Sequence, residues 1–277
     1  MTVLQTRAGA HTDAGRRREV NEDAFLAQMP VFVVADGMGG HDAGDRASAA
    51  VIDVFRSLIE RGDLTVDDVT RAVDTAHAAV ASIAASTSRG AGSTLTALLA
   101  VRHDDEQRWL VVNIGDSRVY RLLGDRLEQV TVDHSVVQEM VDAGRLAPAD
   151  AAAFPGRNVI TRAVGEERSP ADYWLLPIVT GERLLLCSDG LSVELTDEAL
   201  RAGLMLGGAP SRTAHALVAQ AVALGGRDNI TAVVVDTIAG GVSPRSDDVT
   251  GGLSMSADST TIEVATIRSR RTRARGR

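Results

Sequence analysis

The sequence contains no lysine: all 29 of its basic residues are arginine. It has a single cysteine, only 3% aromatic residues, and no run of about 18 apolar residues that could span a bilayer as a helix. Cys187, inside the apolar stretch RLLLCS, has no partner for a disulfide, which predicts a buried structural thiol in a cytosolic protein. The N-terminal stretch MTVLQTRAGAH lacks a charged segment followed by an apolar core, so no secretory signal is expected. The scarcity of aromatics gives no support to a pocket that stacks flat aryl groups.

What is present is a chain of 277 residues, 44% hydrophobic, long enough to bury a large core in one large domain or two ordinary ones. Its charge is unevenly divided. From Gly240 onward seven arginines face four acids, a net of +3, and the preceding 239 residues hold −11 against the overall −8. An acidic body does not suit a nucleic-acid binder, which needs a basic face for phosphates. The expected organisation is a domain at 1–239 and a flexible, Arg-rich tail at 240–277, rich in Gly, Ser, Thr and Asp.

Continuous apolar runs at 31–35, 94–101, 109–114, 183–188 and 231–238 suit strands covered on both faces. Shorter strands are predicted at 5–10, 118–123, 126–130 and 171–176, and VVNIGDSRVYRLLGDRLEQV reads as a meander, so much of the sheet is expected to be antiparallel. Thr65 can cap a helix whose apolar residues run from Val66 to Ile83 at spacings of three and four. A second stripe runs from Ala47 to Ile59, and further helices fit 135–143, 197–206 and 211–224. Sheets between helical layers, in one α/β domain, follow from this order.

VFVVAD ends in Asp36, WLVVNIGD in Asp116 and RLLLCSD in Asp189, while RDNITAVVVD begins just ahead of its strand with Asp228. If those strand ends meet, the acids converge, and like charges in one place drive some of them to hold protons unless a cation intervenes. An all-oxygen donor set without His or Cys points to magnesium or manganese rather than zinc. Gly37, next to Asp36, is expected to let the chain turn sharply and bring a carbonyl toward the same ion.

The fragments RREVNEDAF, VVADGMGGHDAG, GSTLTALL, NIGDSRVYRL, TVDHS, AGRLAPADAAAFPGRNVITRAVG, LLLCSDGL and RDNITAVVV follow one another as in the bacterial metal-dependent serine/threonine protein phosphatases. The chain resembles that PPM (type 2C) family over nearly all of residues 5–238. The resemblance implies two antiparallel sheets packed as a central sandwich with helices on both sides. It implies one Mn2+ or Mg2+ ion held by Asp36, Asp189 and Asp228, a second by Asp36 as bridge and the carbonyl of Gly37, and a third, weaker ion by Asp116 with Asp189. Glu22 would hold metal-bound water, with Asp23 and Asn229 behind the ligands. Arg18 would grip the substrate phosphate through its planar fork.

Such a site hydrolyses phosphoserine and phosphothreonine by attack of a water activated between two ions. The implied partners are phosphoproteins and a bacterial Ser/Thr kinase with its substrates, with no nucleic acid and no transmembrane segment, for a monomer in the cytoplasm. His41, after DGMGG, could protonate the departing oxygen; a metal-bound water, or no protein acid, are the alternatives. Many eukaryotic members carry a histidine where this chain has Met38, and bacterial relatives often carry one where it has Phe154. The segment Gly144–Gly165 reads as a short helix and loop beside the site. Two other readings stand beside the phosphatase: a catalytically silent binding module, and a hydrolase of small phosphate esters or phosphotyrosine.

Overall fold

A computed structural model describes residues 3–40, 43–167, 169–243 and 253–255. In chain order it forms β1 (Gln5–Asp13), β2 (Asp23–Gln28), β3 (Val31–Gly39), α1 (Ala43–Arg56), α2 (Val66–Ala85), β4 (Ala91–Ser93), β5 (Leu95–His103), β6 (Glu106–Ile114), β7 (Arg118–Leu123) and β8 (Arg126–Gln129). There follow α3 (Val136–Asp142), a short 3-10 helix (Pro148–Ala153), β9 (Asp172–Pro177), β10 (Arg183–Cys187), α4 (Asp189–Glu194), α5 (Asp197–Met205), α6 (Pro210–Leu224), β11 (Ile230–Ala239) and β12 (Leu253–Met255).

The strands make two sheets, in the orders β1-β11-β10-β7-β8 and β12-β9-β6-β5-β3-β2, with β4 paired to β3. All pairings between named strands are antiparallel. The alternation of side chains explains why the apolar runs are unbroken. On β3, Phe32 and Val34 pack into the layer between the sheets with Trp109, Leu184 and Val233. Val31, Val33 and Ala35 point the other way, into a second core with α1 and α2. On the far side, Leu185, Cys187 and Val234 pack against α5 and α6. The result is the expected sandwich of two antiparallel sheets between helical layers, and Cys187 is a buried free thiol.

Helix α2 starts at the expected Thr65, whose hydroxyl accepts from the Asp68 N–H while the Asp68 carboxylate accepts from the Thr65 N–H, a reciprocal cap. A buried polar knot closes the end of the sandwich away from Asp189. Glu182 accepts from Trp109 Nε1, Arg121 Nε and the Val179 N–H at 2.8, 2.6 and 2.9 Å. Among the described residues, no helix is long and apolar enough to cross a membrane. Of the segment read as a tail, Val242 is still hydrogen-bonded to Ile178 and Thr180, and Leu253–Met255 pairs with Tyr173–Leu175 of β9. Residues 244–252 and 256–277, and His41, lie outside the described residues.

Candidate active site

Reversal of strand direction carries the acids to one end. β10 faces β11 with Cys187 opposite Ala232, so Asp189, just past β10, and Asp228, just before β11, emerge together. β7 faces β10 with Arg118 opposite Cys187, which brings Asp116 to the same end. In the other sheet Asp36 lies opposite Asp23. Asp36, Asp116, Asp189 and Asp228 are each only partly exposed, as are Glu22 and Asp23, whereas Arg18 is exposed at the rim.

The crowding shows in their protonation. Burial first, and then the charges of Asp23, Asp189, Asp116 and Asp228, push the Asp36 carboxyl well above its ordinary value. Burial and then Asp228 raise Asp189; burial and then Asp189 raise Asp116. Burial raises Asp23 despite hydrogen bonds from Thr231 and Ser188, and it raises Glu22 against the pull of Arg18. These directions are those of carboxylates that share a cleft and repel.

Asp189 Oδ1 and Asp23 Oδ1 are buried without a hydrogen-bond partner, an expensive arrangement unless something else satisfies them. Among the described residues no three acidic, His or Cys side chains are closed up as tightly as ligands around one ion. The carboxylates are gathered within Coulombic reach but spread, as mutual repulsion requires, and Arg18 Nη2 donates to Asp228 Oδ2 at 2.7 Å. Orphaned buried oxygens, an all-oxygen donor set and excess negative charge fit a hard divalent cation.

The loop bearing Arg18 and Glu22 is clamped by Asn229. Its Oδ1 accepts from the Glu22 N–H at 2.8 Å, and its Nδ2 donates to the carbonyls of Ala14 and Val20 at 3.1 and 2.9 Å. Asp23 Oδ2 accepts from Ser188 Oγ and Thr231 Oγ1, at 2.8 and 2.7 Å, which ties β2 to both strands that carry Asp189 and Asp228.

Gly37 corrects one expectation. The chain does not turn there: β3 runs on through Gly39, with Gly37 opposite Ser93. The glycine is required by close approach, since a Cβ would sit 2.0 Å from the Gly44 carbonyl oxygen and 2.8 Å from that of Glu22. Helix α1 thereby abuts the site, and its Gly44 lies against the Glu22 carboxylate, whose Oε1 would fall 2.3 Å from a Cβ there.

The turn that carries Asp116 is fixed by His134, which is buried. Its Nδ1 accepts from the Gly115 N–H at 3.1 Å, so the ring proton sits on Nε2 and is donated to Asp172 Oδ2 at 3.1 Å. The segment 144–165 forms the expected short helix and loop, tied down where Ser135 bridges Ile160 and Ser93 bridges Val164.

Comparison with known proteins decides the family. The model of the family described as Protein phosphatase 2C matches residues 12–206. The chain belongs to the protein phosphatase 2C family. It is 39% identical over 242 residues to the serine/threonine protein phosphatase PstP of Mycobacterium tuberculosis, covering 85% of this chain and 46% of that protein. The chain thus spans about half the length of these mycobacterial relatives. It is 32% identical over 239 residues to the serine/threonine phosphatase stp of Listeria innocua, covering 81% of this chain and 93% of the relative.

Among solved structures, the Mycobacterium tuberculosis phosphatase PstP/Ppp superposes with a TM-score of 0.79 at 37% identity, covering 86% of this chain and all of that one. The catalytic domain of PstP, in complex with two manganese ions, gives a TM-score of 0.76 at 35% identity over 86% of this chain and all of that one. The type 2C fold expected from the sequence is therefore the fold observed.

Sequence reasoning missed the hydroxyl groups that hold the acids, Thr94 on Asp36 and Ser188 and Thr231 on Asp23, and Ser117, which bonds Thr94. Their signal was present, because a polar residue in a strand buried on both faces must have a partner.

Proposed function

We propose that this type 2C chain is a metal-dependent phosphatase of phosphoserine and phosphothreonine in proteins. The observation that carries this reading is the convergence of Asp36, Asp116, Asp189 and Asp228 in one cleft with Arg18 at its rim. Asp36, Asp189 and Asp228 would hold one Mn2+ or Mg2+ ion, Asp36 and the Gly37 carbonyl a second, and Asp116 with Asp189 a third. Divalent ions bound there supply charge neutralisation for phosphoryl oxygens and lower the pKa of a water molecule.

The chain's own groups do the rest. Arg18 exchanges a carboxylate oxygen of Asp228 for phosphate oxygens, which its planar fork engages in pairs. Glu22, with its backbone held by Asn229 and its carboxylate packed against Gly44, keeps an acceptor for attacking water in a fixed place. The preorganised cleft stabilises charge as it develops on the phosphoryl group. The proposed setting is the cytoplasm, with the protein acting as a monomer opposite a Ser/Thr kinase.

The test is a comparison of a phosphothreonine peptide with a free aryl phosphate at equal Mn2+. A higher kcat/KM for the peptide supports the protein-phosphatase reading. Preference for the free ester assigns the site to small phosphate esters instead.

A further inference from the structure

The stretch GSTLTALL lies outside the ligand set, yet its Thr94 bonds both backbone groups of Asp36 and meets the residues on either side of Asp116. The register, with Val34 opposite Thr96 and Gly37 opposite Ser93, places Asp36 opposite Thr94. In an antiparallel ladder such a pair exchanges two backbone bonds. One is made: the Thr94 N–H donates to the Asp36 carbonyl at 2.8 Å. The other is diverted, and the Asp36 N–H donates at 2.9 Å to the Thr94 side-chain Oγ1. Residue 94 therefore holds Asp36 by both its N–H and its C=O.

The same hydroxyl lies 2.8 Å from Ser117 Oγ, immediately after Asp116. The other branch of the side chain packs under Gly115, immediately before it, where a Cβ would fall 2.7 Å from Thr94 Cγ2. Thr94 is 2% exposed and Ser117 fully buried, so water cannot replace either bond. Ser93 Oγ adds a bond to the Thr94 carbonyl at 2.8 Å and a longer one to the Asp36 carbonyl at 3.2 Å.

We propose that Thr94 is a positioning residue, a strut whose hydroxyl fixes Asp36 and the Asp116 turn relative to each other and so sets the spacing of the ion sites. A hydroxyl serves here because it accepts from the Asp36 N–H and still shares a bond with the Ser117 hydroxyl, in which it can be donor or acceptor. The inference rests on the metal-site reading given above.

The test is Mn2+ titration by calorimetry of the full chain, with kcat and KM on a phosphothreonine peptide at saturating Mn2+. Thr94→Val keeps the shape and removes Oγ1. It is expected to lower Mn2+ affinity and kcat by about 10–100-fold, the range found when groups that orient metal ligands are removed. KM should stay near its original value, and Thr94→Ser should restore binding and rate. A folded Thr94→Val with the original isotherm and kcat overturns the inference, because lost stability alone leaves both intact in folded protein.

If Thr94→Val does not fold, Ser117→Ala decides. It keeps the Asp36 bond and is expected to weaken only the loosest ion, by about 10-fold; an isotherm superimposable on the original overturns the strut. Asp36→Asn serves as the control. If that variant binds Mn2+ like the parent, the site reading itself fails and this inference falls with it.

Discussion

The crowded carboxylates give Asp36→Asn opposite effects on stability with and without metal. Burial and four neighbouring acids raise the Asp36 carboxyl well above its ordinary value. In metal-free protein the folded state then keeps a proton that the unfolded chain releases, so stability falls as pH rises between the two pKa values. Below the unfolded carboxylate range, about pH 4, both states are protonated and the effect is absent. Asparagine has the shape of the protonated acid and never ionises.

Each tenfold change in proton affinity is worth about 1.4 kcal/mol, roughly 3–6 °C in Tm for a domain of this size. The metal-free variant is therefore expected to melt above the parent at pH 8. The gain should vanish near pH 4. With Mn2+ the order inverts: the parent gains about 2.7 kcal/mol at one hundred times its Kd, and the variant does not. Thermal melts in chelator and in Mn2+, at both pH values, make the comparison. A metal-free Asp36→Asn less stable than the parent at pH 8 would refute the claim that these carboxylates repel.

Three further outcomes are expected. Arg18→Ala should raise KM for phosphopeptide more than it lowers kcat, while its ion pair with Asp228, half exposed on the arginine side, contributes at most about 1 kcal/mol to stability; an unchanged KM and rate would remove Arg18 from the site. Glu182→Ala strands the buried Arg121 guanidinium and should cost about 3–5 kcal/mol with kcat intact below the melting transition, and a loss under about 1 kcal/mol contradicts the knot at that end. Gly37→Ala must displace the Gly44 carbonyl, so Mn2+ binding should be lost by calorimetry; a parental isotherm would show that α1 does not set the site.

The sequence announced the long strands because both faces of the sandwich are covered, which leaves unbroken Val and Leu runs at β3, β5, β6, β10 and β11. It also announced α2, through Thr65 and a regular apolar stripe. Strand β2 escaped notice because DAFLAQ is short, begins in an acid, and buries only Leu26 fully. Helix α4 escaped because its six residues start at Asp189 itself and are too few for any period to show. At the site, the aspartates were legible from their positions at strand ends. The reason for Gly37 was not, since the approach of Gly44 comes from a helix later in the chain. Nor was the strut at Thr94, which depends on register between strands that a single sequence does not align.

Phosphate release from a phosphothreonine peptide tests the central claim most directly, measured with Mn2+, with Mg2+ and with chelator, on the parent and on Asp189→Ala side by side. The account predicts release that requires the metal and is lost in the variant. A parent that binds the phosphopeptide yet stays silent with every metal, or release that survives in Asp189→Ala, would contradict it.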